Sequence, residues 1–188
     1  MFSPKRNQRG LSKSASLIVA SSLLAAAAAR ADETTHTPLV LTAYSNGVGG
    51  KELVSGEYDV ALTAIQTYKP QLAMDSSAKA TNLCVAYAAT RQLPAALTAC
   101  DAALKSAKED RLSGSHLTPG SSHDNAYVAI AYANRAVVHM LSRDTASAKA
   151  DLAKAQSLAP EADFVAKNVA AVSSSRSTIA QLEVTPSS

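Results

Sequence analysis

The chain has no tryptophan, and aromatic residues make up only 4% of its 188 residues. A core built on large rings is therefore excluded, and so is a surface that interleaves arginines with aromatics to stack nucleic-acid bases. There is no G-x-S-x-G turn for an activated serine and no G-x-x-x-x-G-K loop to cradle phosphates. The glycines of "SNGVGG" lack a preceding strand and a following dinucleotide pattern. The longest apolar stretch, "SLIVASSLLAAAAA" from Ser16 to Ala29, is too short to span a bilayer comfortably.

That stretch follows Lys5, Arg6, Arg9 and Lys13 with no acidic residue among them, and leads to Ala29, Arg30 and Ala31. A basic segment, a short apolar segment and an A-x-A site define a signal peptide over residues 1–31. No cysteine follows it to carry a lipid, and no arginine pair precedes it, so the general secretory route is expected. Cleavage after Ala31 removes five of the 18 Lys and Arg and none of the 15 Asp and Glu, leaving 13 against 15, a net charge of −2. The basic pI of 8.9 thus belongs to the leader, and no nucleic-acid partner follows from it. An exported protein, periplasmic or secreted, with no stable membrane insertion after cleavage, is the expectation.

What the sequence does have is alanine. Alanine is the best helix former and lets helices approach closely, so an all-α domain is expected. Residues 56–68 place Tyr58, Ala61, Leu62 and Ile65 on one helical face. Helices are expected over 78–91, 94–107, 124–142, 145–158 and 161–172, with Pro94 at a helix start, Asp144 as an N-cap and Pro160 as a stop. Residues 32–50 read as a flexible lead-in, 109–124 as a polar insertion loop and 173–188 as a disordered tail.

The helical region repeats. With Asn82 set on Asn134, Cys84 meets Ala136, Tyr87 meets His139, Arg91 meets Arg143, Ala96 meets Ala148, Cys100 meets Leu152 and Ala103 meets Ala155. The offset of 52 is a 34-residue unit plus the polar loop, and 34 residues beyond Asn134 stands Asn168. A slipped half-copy sets Gly56 on Arg91 and Ala61 on Ala96. On these residues the chain resembles the tetratricopeptide repeat family, whose 34-residue helix–turn–helix has small residues at the helix contact, an aromatic in the first helix and a closing proline. Residues 125–160 fit with Ala136, Asp144, Ala148, Ala155 and Pro160, although His139 stands in the tyrosine position. Residues 78–108 fit less closely, with Cys84 and Arg91 in place of glycines. The resemblance implies antiparallel helix–turn–helix repeats stacked into an α-solenoid over 51–172: a partial repeat at 51–77, the two full repeats, and a capping helix at 161–172 whose Phe164, Val165 and Val169 cover the open end.

In such a hairpin, Cys84 and Cys100 each lie eight residues from Gln92 at the turn, level with one another and on the inward face. In an exported chain this favours a disulfide, the alternative being two buried thiols. The resemblance further implies a groove lined by Val85, Ala88, Ala89, Val137, Met140 and Leu141, with Asn82 and Asn134 facing it. A mostly uncharged, apolar groove suits a hydrophobic helix or strand of a protein partner or peptide. Of the residues preceding Asn82, Asn134 and Asn168, only Lys167 is basic, which argues against a carboxylate clamp; an alternative task for these asparagines is to fix the inter-helix turn of the backbone. No cofactor, metal or catalytic residue is expected. His116, His123 and Asp124 keep open a metal-binding or enzymatic use of the 108–124 loop, and a self-associating structural module is the third reading.

Overall fold

The computed structural model describes residues 37–70, 73–113, 122–174 and 182–187. Among them are seven helices and two short strands: β1 (Leu39–Ala43), α1 (Gly50–Val54), α2 (Tyr58–Thr67), α3 (Ala73–Ala89), α4 (Leu93–Ser113), α5 (Ser122–Leu141), α6 (Thr145–Leu158), α7 (Asp163–Ser174) and β2 (Leu182–Pro186). The leader expected at 1–31 and the loop centre at 114–121 lie outside the described residues.

Consecutive helices pack on one another in chain order, from α1 on α2 through to α6 on α7. Three tight turns of one geometry join α1 to α2, α3 to α4 and α5 to α6. Each centres on a left-handed residue: Gly56 (φ 82), Arg91 (φ 60) and Arg143 (φ 64). At each, the N–H of the following residue reaches back five residues, with Glu57 donating to Glu52, Gln92 to Tyr87 and Asp144 to His139, all at 2.8 Å. This double-bonded helix ending satisfies carbonyls that would otherwise lack partners. The equivalence of Gly56, Arg91 and Arg143 read from the alignment is thus an equivalence of backbone shape.

Alanine makes the helix contacts. In α6, Asp144 caps the N-terminus by accepting from the Ser147 N–H at 3.0 Å, and Ala148, Asp151, Leu152 and Ala155 form the buried stripe at three- and four-residue steps. Ala136 meets this stripe from α5 and is itself 1% exposed. Val165, with Phe164 and Val169 packed beside it, closes on Ala129, Ala133 and Ala155 at the far end. Cys84 and Cys100 are joined as a disulfide across the α3–α4 hairpin, their Cα atoms 4.8 Å apart.

Three expectations are corrected. The polar stretch after Ala107 is not a loop from 109 onward: α4 runs to Ser113 and α5 begins at Ser122. Leu104 and Ala107 continue the buried stripe of α4 against Val128 and Ala131, while Lys105 and Glu109 form its exposed face and pair at 3.8 Å. The expected flexible lead-in contains β1, all five of whose residues are buried, and then α1. The expected disordered tail contains β2, which pairs with β1 in parallel, Leu39 opposite Leu182 through Ala43 opposite Pro186. The fold is therefore mostly helical with a two-stranded sheet.

The glycines of "SNGVGG", read from the sequence as lacking a preceding strand, follow β1: Gly47 and Gly49 lie between β1 and α1, and Gly50 opens α1. A Cβ on Gly50 would lie 1.9 Å from the Tyr44 carbonyl oxygen, and Gly49 takes φ 71, where a Cβ would lie 2.6 Å from Ile65 Cγ1. Only residues without side chains let the strand reverse into the helix this tightly.

Candidate functional site

Strand β1 packs on α1, α3, α5 and α7, the first helices of successive hairpins, and on β2. Leu39, Leu41 and Ala43 join the main apolar cluster together with Cys84, Val85, Ala88, Val137 and Ala136. Fully burying leucines of this kind contributes about 1.5–3 kcal/mol each. The chain's own N-terminal segment thus fills the inner face of the helix stack.

A buried strand must have its backbone polar groups paired. On one edge of β1 three asparagines do this. Asn168 of α7 accepts from the Val40 N–H at 2.7 Å and donates to the Val40 carbonyl at 2.8 Å. Asn134 of α5 accepts from the Thr42 N–H and donates to the Thr42 carbonyl, both at 2.8 Å. Asn82 of α3 accepts from the Tyr44 N–H at 2.8 Å and donates to the carbonyls of Tyr44 and Val48 at 3.0 Å. A carboxamide carries one acceptor and one donor side by side, so it closes a two-bond ring with one strand residue as a neighbouring strand would. Residues 40, 42 and 44 alternate because every second residue of a strand turns its N–H and C=O to the same edge. The opposite edge faces β2, where the Ser187 N–H donates to the Ala43 carbonyl at 2.7 Å.

The residues expected to line an open groove occupy this face, but β1 lies over it. Asn82, Val85, Ala88 and Val137 are at most 1% exposed, as is Asn134. Ala89, Met140 and Leu141 are half-buried, the last two packed against the core. The asparagines do not fix the inter-helix turns, as one reading had it: their partners lie 38, 92 and 128 residues away in the chain. Asn168, residues 39–44 and residues 182–187 complete the site and were not among the expected site residues. The recurrence of Asn at one position of each unit was the visible signal for Asn168.

A second polar cluster ties the helices together away from the strand. Arg135 of α5 donates from Nε and Nη2 to both oxygens of the buried Asp151 of α6 at 2.7 Å, and from Nη1 to Asp101 of α4 at 2.8 Å. The bond to Asp151 is the main reason the guanidinium is held even more firmly protonated than usual. His139 lies 3.8 Å from the same carboxylate and 3.5 Å from Asp144. With both Asp151 oxygens engaged, the cluster has the character of a structural clasp. Beside the strand end, burial pushes the Tyr44 phenol above its ordinary range, with its ring 5.4 Å from that of Tyr127. Among the described residues no His, Cys, Asp and Glu side chains gather to hold a metal ion. His116 lies outside the described residues, and positions 123 and 124 fall in the first turn of α5. Among the described residues, no helix is long and apolar enough to cross a membrane.

The arrangement can grip an extended chain by its backbone. Comparison with protein-family models, with curated proteins and with solved structures finds no match to this chain.

Proposed function

We propose that this chain is an exported, non-enzymatic helical-repeat scaffold of the tetratricopeptide type that mediates protein–protein interaction in the cell envelope. The observation that carries the reading is the asparagine ladder, three side chains at one position of successive first helices, each pairing both backbone groups of one residue of an extended segment. Such a device serves binding of main chain and does not depend on side-chain identity. The repeated turns at Gly56, Arg91 and Arg143 and the alanine contacts support the repeat reading. The disulfide between Cys84 and Cys100 supports an oxidising compartment.

The segment on the ladder belongs to the chain itself, so the inner face is a structural element of the scaffold. A partner therefore meets the scaffold at a surface other than the asparagine ladder. Crosslinking in the native envelope, followed by identification of the attached chains, tests the role. The intact mass of the protein from its producing cell tests export: residues 32–188 less two hydrogens is expected, and a mass that retains residues 1–31 refutes it. Reproducible recovery of no crosslinked partner would remove the scaffold reading.

A further inference from the structure

The two edges of β1 are held by different means. The ladder edge is fastened by side chains of three helices, all of them buried. Among the described residues, the other edge is paired with β2, a strand that packs chiefly on β1 and α1. Glu183 and Pro186 of β2 are exposed, while Leu182 and Val184 pack partly buried against the main cluster. If β2 leaves, Val40, Thr42 and the following Tyr44 keep their six ladder bonds to Asn168, Asn134 and Asn82, and Leu39, Leu41 and Ala43 stay in the core. What remains is a rigid edge with the unpaired N–H and C=O groups of alternate residues, the template on which an extended chain adds as a strand.

We propose that this edge of β1 is an acceptor site for an extended segment of a separate protein, and that residues 182–187 are its internal occupant. The chemistry of the ligand is read from the occupant. It runs parallel to β1, carries aliphatic side chains two residues apart in the places of Leu182 and Val184, and tolerates polar or charged residues between them, as at Glu183. The tail competes at an effective concentration on the order of millimolar, as a short tether provides. An incoming segment therefore binds the wild-type chain far more weakly than it binds a chain whose tail is released. The inference rests on the scaffold role proposed above and names the surface that serves it.

Amide exchange followed by NMR on the full chain is the first test. The N–H groups of Val40, Thr42 and Tyr44, donated to the asparagines, should exchange at the rate of global unfolding. Those of Leu41, Ala43 and Ser187, which lie on the β1–β2 side, should exchange at least 100-fold faster through release of β2. Equal rates in the two sets would mean that the tail leaves only when the protein unfolds, and would overturn the proposal. The second test uses the full chain with Leu182→Asp and Val184→Asp, titrated with a labelled peptide of residues 182–188. Binding at least 10-fold tighter than to the wild-type chain is expected, with no binding of a peptide carrying the same two substitutions. Loss of the helical circular dichroism signal in the variant, or no peptide binding to the folded variant, overturns the acceptor site. A concentration-dependent dimer of the wild-type chain that disappears in the variant assigns the edge to a second copy and overturns a separate partner. Envelope crosslinks that persist alongside a failed peptide titration would leave the scaffold role standing and remove this surface from it.

Discussion

Replacing Asn134 by alanine should cost far more than losing one polar side chain usually does. The residue is 1% exposed, and its carboxamide is the partner of both the N–H and the C=O of Thr42 on this edge of the strand. Asn134→Ala leaves these two buried groups unpaired, at about 1–3 kcal/mol each, so a loss of about 2–6 kcal/mol is expected. A native domain is stable by only about 5–15 kcal/mol, so this is a large fraction of the total. With a urea dependence of about 2 kcal/mol per molar, the unfolding midpoint should fall by about 1–3 M. The exposed Lys149→Ala on α6 serves as the control and should change stability by no more than about 0.5 kcal/mol. Asn134→Asp adds a sign. Only the protonated acid can both accept from the Thr42 N–H and donate to its carbonyl, so the folded protein should raise the carboxyl above its ordinary value. Stability of this variant should then be greatest below the unfolded-state value and fall as pH rises towards the folded one. Urea titrations of the three variants across pH, read by circular dichroism, decide the matter. If Asn134→Ala matches the lysine control, or Asn134→Asp behaves the same at every pH, the ladder does not hold the strand.

The remaining expectations concern the hairpins and the strand. Reducing the disulfide, which joins residues 16 apart in sequence, should lower stability by about 3 kcal/mol in the chain-entropy model, measurable as a midpoint shift with and without reductant. Arg91→Gly relieves a left-handed arginine at φ 60 and should raise stability by about 0.5–1 kcal/mol in denaturant titrations; a loss would mean that the arginine side chain has a stabilising contact there. Thr42→Val removes a buried hydroxyl with no hydrogen-bond partner among the described residues and should stabilise by about 1 kcal/mol, again by urea midpoint. Hydrogen bonds from the Ser147 hydroxyl first, and then from its backbone N–H, hold the Asp144 carboxyl below its ordinary value of 3.8, so their stabilisation is present above that value and disappears as pH falls through the lower folded one. Asp144→Ala should therefore lower the melting temperature at neutral pH and flatten its decline in acid.

Helices, turns and the cysteine pair could be read from the sequence because their causes are local. Ala148, Leu152 and Ala155 declare a helical face by spacing alone, Asp144 declares its start, and Cys84 and Cys100 stand at equal distances from Gln92. The end of α4 was misjudged because Lys105, Lys108 and Glu109 look the same on a solvated helix face as in a loop; Leu104 and Ala107 carry the distinction. β1 was missed for a different reason. "LVLTA" is five residues long, lies beside a glycine-rich turn, and every group that pairs its ladder edge comes from far along the chain. An apolar run of that length has no period from which to tell a buried strand from a lead-in. In "LEVTP" the alternation is present, but two aliphatic residues in a serine-rich tail give it little weight. The asparagines were visible as a recurrence; what they hold is a tertiary fact with no local trace.

The order in which β1 meets its ladder has a consequence for how the protein reaches this state. The strand precedes all of its anchors, which come in the order Asn82, Asn134 and Asn168, at separations of 38, 92 and 128 residues. If Val40 had to find Asn168 first, closing the longer loop instead of the shortest would add only about 1 kcal/mol of entropy. The larger constraint is that the helices presenting the anchors must already be docked. Hairpins close locally and fast, whereas pairings distant in sequence come late. The segment that precedes its anchors in the chain is therefore fixed after them, zipping from Tyr44 back towards Val40 as each hairpin joins the stack. Until α7 arrives, the Val40 N–H and C=O lack their Asn168 partner.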